Sequence, residues 1–149
     1  MWTPDPDEVK RSETIGRRVF GKGWLAAGPD AKVPKGHFKI TVFMDSRLDQ
    51  DLSFDRLGER SADKSVTRFL TPLGAAQGRT LAPPKEFSGW AAIPMAKLDF
   101  ATVRPTPTDE PYNPFHADLS REGFRERAHA EMLAFRLAIL AGRTIVAPG

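Results

Sequence analysis

Ser120 to Ala141, SREGFRERAHAEMLAFRLAILA, is the longest run of helical periodicity in this chain, and it constrains the fold most. Phe124, Ala128, Met132, Phe135 and Ile139 recur at helical spacing and predict one apolar stripe. Leu133, Leu137 and Leu140 widen it. Ser120 is placed to cap the start, Glu122 puts negative charge in the first turn, and Gly142 suits the C-terminal cap. A helix with such a stripe needs a surface to cover. The rest of the chain reads mainly as short extended segments and turns, so that surface is expected to be a sheet.

HFKITVFM, His37 to Met44, alternates Phe38, Ile40, Val42 and Met44 to one side and predicts a central strand. Arg17 to Gly28 is a second strand candidate, weakened in the middle by Gly21 and Gly23. It leads into a loop rich in proline and glycine. LSFDRLG, from Leu52, reads as a short helical turn capped by Ser53 and stopped at Gly58. A helix from Asp63 to about Leu70 is expected to end before Pro72. Ser88 to Pro105 suits a buried strand pair with Pro94 at an edge or bulge, and Arg143 to Pro148 a last short strand. These elements predict an α+β fold: a mostly antiparallel sheet covered on one face by the long C-terminal helix.

A chain of 149 residues, 40% hydrophobic, is sized for a single domain with a sizeable core. Residues 15–149 are expected to form it. Residues 1–14 carry Pro4 and Pro6 and little apolar periodicity, and are expected to be a flexible arm. The absence of cysteine excludes disulfides, thiolate catalysis and Cys-ligated metal sites. The N-terminus has no secretory pattern, and no apolar run reaches membrane-spanning length. The expectation is a soluble cytoplasmic protein with no membrane association.

Charge is uneven. Lys10 to Lys39 holds eight Lys or Arg against Glu13 and Asp30, whereas Ile40 to Asp63 holds three Arg against six acids. Arg17, Arg18, Lys22 and Trp24 make a basic, aromatic surface suited to stacking bases or docking an acidic partner. The competing reading of the aromatics is core packing.

The densest chemistry lies in YNPFHADLSR, from Tyr112. Two prolines stiffen the approach, and an extended chain puts His116 and Asp118 on one side with Phe115 and Leu119 on the other. His116 is then a candidate general acid or base oriented by Asp118, with Arg125 or Arg121 to hold an anion such as phosphate. The simpler alternative is a loop-to-helix junction whose polar groups satisfy backbone.

Other motifs fail. Asp49, Asp51, Ser53 and Asp55 match alternating calcium-loop positions, but Phe54 stands where glycine is needed and Arg60 where glutamate is needed. No phosphate-binding loop, nucleophile elbow or zinc spacing occurs, so no metal and no cofactor is expected. The functional expectation is a small interaction or regulatory module binding a protein partner or nucleic acid. The alternative is a phosphoester- or nucleotide-processing enzyme built on His116, Asp118 and an arginine. A concave pocket around those residues would favour the enzyme.

Overall fold

A computed structural model describes the chain apart from residues 27–32, 45–46, 100–102 and 109. Among the described residues six strands form one sheet: β1 (Glu13–Phe20), β2 (Leu52–Glu59), β3 (Phe87–Pro94), β4 (Pro105–Pro107), β5 (His116–Leu119) and β6 (Ile145–Val146). Their order is β4-β5-β2-β1-β3-β6, and every pairing is antiparallel. Helix α1 (Lys64–Thr80) packs on one face and α2 (Arg127–Ala141) on the other. This is the α+β arrangement expected, with the C-terminal helix covering one face.

Strand alternation separates two cores. Ile15, Val19, Leu52, Phe54, Ala117 and Leu119 join the core beneath α2. Leu57, Phe87 and Trp90 join Val66 and Leu70 of α1. Gly16 sits between Leu57 and Trp90, where a β-carbon would lie 2.7 Å from both side chains. Only glycine permits that close approach.

Several expected elements differ. His37 to Met44 is not a strand: Phe38 makes one isolated bridge to Leu25, and Ile40–Phe43 is a 3₁₀ turn. Phe38 and Phe43 are five residues apart, so a strand would send them to opposite faces. The turn brings both into one core, their rings 6.5 Å apart and perpendicular. LSFDRLG is strand β2 rather than a helical turn, because Leu52 and Phe54 alternate with Ser53 and Asp55 across the sheet. Helix α1 runs through Pro72 to Thr80. Its glycines explain this: Gly74 packs against the Phe87 ring and Gly78 against the Lys85 backbone, and that packing offsets the hydrogen bond proline removes. Asp63 caps α1, accepting from the N–H groups of Ser65 and Val66, and the Val66 bond leads in holding its carboxyl below the usual range. Among the described residues of the Ser88 to Pro105 stretch, β3 is followed by a 3₁₀ turn rather than by a strand paired with it, and β4 begins only at Pro105. The expected strand from Arg17 begins earlier, at Glu13, and the loop from Gly28 falls largely outside the described residues.

Helix α2 starts at Arg127, seven residues later than expected, because Ser120 caps a local turn through the Glu122 N–H instead. Its buried face is Ala130, Leu133, Ala134, Leu137, Ala138 and Ala141. Met132, Phe135 and Ile139 of the expected stripe are 48%, 38% and 40% exposed. The small alanines let the helix approach the sheet closely, which larger side chains on that face would prevent. Met132→Ala should therefore shift unfolding free energy by less than about 0.5 kcal/mol. Chemical denaturation tests this, since a buried Met132 would cost about 2–5 kcal/mol.

Residues 1–14, expected as a flexible arm, lie against the domain. Val9 is buried, and Trp2 stacks on Phe115 with ring centroids 6.3 Å apart. Arg56, 1% exposed, bonds both carboxylate oxygens of Glu13 at 2.7 and 2.8 Å. It also donates to the carbonyls of Asp5 and Glu8. A buried arginine with all of these acceptors ties the segment to β2.

Candidate functional site: a cleft where the sheet splits

The pairing of β1 with β2 stops at Gly16 opposite Asp55. Beyond that point β1 continues to Phe20 alongside β3, while β2 runs back to Leu52 alongside β5. The two halves of the sheet diverge, and a cleft of about 940 Å³ opens at the split. Arg17 reaches across it, donating to the carbonyls of Val42 at 3.0 Å and Ser53 at 2.9 Å. Leu73, Ala76 and Gln77 of α1 form one wall, and Glu110, Tyr112 and Asn113 of the loop before β5 form another. Lys22, Trp24 and Lys85 stand at the end where β1 leaves the sheet.

A buried carboxylate organises the centre. Asp55 is 2% exposed and accepts a two-pronged bond from Arg18, Nε to Oδ2 at 2.7 Å and Nη2 to Oδ1 at 3.0 Å. Trp90 Nε1 donates to it at 2.8 Å and Asn113 Nδ2 at 3.3 Å. Four donors on one carboxylate compensate its burial. The same contacts fix the surroundings: Gln77 accepts from Arg18 at 2.9 Å, and Asn113 Oδ1 accepts from the Phe115 N–H. Asp55 thus joins β1, β3, α1 and the loop that carries Glu110 and Tyr112.

His116 is the register partner of Asp55 and lines the cleft. Its Nδ1 lies 3.1 Å from the Thr108 carbonyl and 2.8 Å from the Thr108 hydroxyl. Thr108 thus holds the ring by its Nδ1 edge and leaves the Nε2 edge turned away from it. Nε2 lies 3.7 Å from Glu110 and 3.9 Å from Asp118. Thr108, rather than Asp118 as expected, therefore orients the ring. Asp118 instead accepts from the Ser53 hydroxyl at 3.4 Å. Tyr112 donates its hydroxyl to Glu110, and that bond, reinforced by the carboxylate's charge, raises the phenol above its usual pKa.

Of the residues picked from the sequence, His116, Arg17, Arg18, Lys22 and Trp24 all line this cleft, and Asp118 stands beside His116. Arg125 does not line it; its guanidinium donates to the Asp49 carbonyl. Arg121 is buried beneath the Arg47–Asp51 loop, donating to the carbonyls of Gln50 and Arg47. Phe115 belongs to the core beneath α1 and Leu119 to the core beneath α2, so they do not share a side. The sequence reading missed Asp55, Glu110, Tyr112 and Gln77. The polar–apolar alternation of Leu52 to Asp55 was the available signal for Asp55.

Among the described residues no three His, Asp or Glu side chains gather in a way that would hold a metal ion. Nor is any described helix long and apolar enough to cross a membrane. No family model matches the chain, and no curated protein or solved structure matches it significantly.

Proposed function

We propose that the split-sheet cleft processes a phosphoester or nucleotide, with His116 as its acid–base residue. One observation carries this: an imidazole held at Nδ1 by Thr108 presents Nε2 within a cleft whose lining includes Arg17 and Arg47. A positioned imidazole moves a proton at the reacting oxygen, and cationic side chains attract and hold the phosphate. Glu110 and Asp118 flank Nε2. Asp55 neutralises Arg18, which assigns that arginine to shaping the cleft rather than to holding the ligand.

His116→Ala is expected to lower turnover of a small chromogenic phosphodiester by about 10²–10⁴ while costing only about 1–3 kcal/mol of stability from the lost Thr108 contacts. Turnover that persists in this variant would remove His116 from the mechanism. The module reading keeps Arg17, Arg18, Lys22 and Trp24 as a docking surface, and α2 offers a second one. Exposed Met132, Phe135 and Ile139 on α2 suit a protein partner, and a cysteine-free chain suits the cytosol. That reading gives binding without turnover.

A further inference from the structure

We infer that the ligand of the cleft is a single-stranded nucleic acid and not a mononucleotide. This rests on the reading of the cleft as a phosphate site, and it comes from how the chemistry is spread along it. His116 lies in the row Gly16–Asp55–His116. Lys22 and Trp24 lie beyond Phe20, the last residue of β1. Gly16 and Phe20 are four residue steps apart along β1, about 13 Å at about 3.3 Å per residue. Lys85 belongs to the far end too, because its side chain packs 3.4 Å from where a β-carbon on Gly21 would sit.

The backbone at the end of β1, beside Lys22 and Lys85, is thus farther from the His116 row than the screening length of about 8–10 Å in physiological salt. One phosphate cannot draw on both ends. A chain with a charge at every nucleotide can. Lys22 and Lys85 are exposed and form no ion pair among the described residues, so they meet a polyanion without first breaking an internal contact. Trp24 lines the same cleft, half-buried against the core beneath α2 and stacked on Phe38 with centroids 5.6 Å apart. A rigid aromatic beside cations is the arrangement that holds unpaired bases, whose faces a duplex would hide.

The test compares a short single-stranded RNA, the same sequence as DNA, the matching duplexes and a mononucleotide, each titrated at several salt concentrations. The wild-type protein is expected to bind a single strand at least tenfold more tightly than the duplex or the mononucleotide. In Lys22→Ala/Lys85→Ala, the slope of log affinity against log salt should flatten by about 1.4, since each contact to a single strand contributes about 0.7. Turnover of the small phosphodiester should be unaffected. A mononucleotide that binds as tightly as the strand, or an unchanged salt slope, overturns the inference. Cleavage of the small ester with an unchanged slope keeps the His116 reading and removes this one. A strand that binds with the expected slope but is never cut supports this inference and removes catalysis. The RNA and DNA arms identify which strand the cleft prefers.

Discussion

Arg56→Ala is expected to destabilise the protein by about 3–5 kcal/mol, the range for breaking one side of a buried ion pair. Arg56 and Glu13 are each 1% exposed. Removing the guanidinium strands the Glu13 carboxylate in the interior and frees the Asp5 and Glu8 carbonyls that Arg56 holds. Trp2, whose ring lies 5.8 Å from the guanidinium, loses that contact as well. For a chain of this length the melting temperature should fall by about 10 °C or more. Arg56→Ala should also expose the first residues to trypsin at Lys10 and Arg11, whereas the wild type resists. Replacing Arg56 and Glu13 together by methionine and leucine should recover part of the loss, because no unpaired charge then remains buried. A single variant as stable as wild type, with unchanged proteolysis, would show that the N-terminal segment does not depend on this pair.

That segment marks where sequence reasoning stops. Two prolines and a string of acids read as an arm, and nothing local says that Val9 joins the core beneath α2, that Trp2 stacks on Phe115 or that Glu13 pairs with Arg56 of β2. Long-range partners are invisible to composition. The sheet-plus-helix class was legible because the α2 periodicity and the strand-like segments are local signals. The inward face of α2 was misread because large apolar residues outweigh alanine in a hydrophobic stripe, yet close packing on a sheet favours alanine. At the site, the His-x-Asp spacing was legible, since an extended chain alternates whatever surrounds it. The role of Thr108 was not: it lies eight residues from His116 and reaches it only because β4 pairs beside β5. The clustering of Arg17, Arg18, Lys22 and Trp24 with His116 depends on the split between β1 and β2, a tertiary event with no local signature.

Asp55 joins stability to the cleft, and the sign of its effects separates the two. Asp55→Ala should cost about 3–5 kcal/mol, because Arg18 loses its carboxylate and Trp90 Nε1, fully buried, loses its acceptor. Asp55→Asn preserves shape and one acceptor oxygen and should cost less, about 1–3 kcal/mol. Ligand binding should move the other way. Removing a negative charge from the cleft leaves Arg18 uncompensated and raises the local positive potential. One unit charge about 8 Å from a phosphate is worth about 1 kcal/mol at an effective dielectric near 40, or about fivefold in affinity. Asp55→Asn is therefore expected to bind phosphate-bearing ligands about fivefold more tightly while unfolding more easily. Arg18→Ala should unfold more easily too, but bind about fivefold more weakly, because Asp55 then faces the ligand alone. Calorimetric titration at low and high salt, on variants first checked for folding, reads both quantities. If the two variants shift affinity in the same direction, the Asp55–Arg18 pair does not set the potential of the cleft, and the phosphate must lie elsewhere.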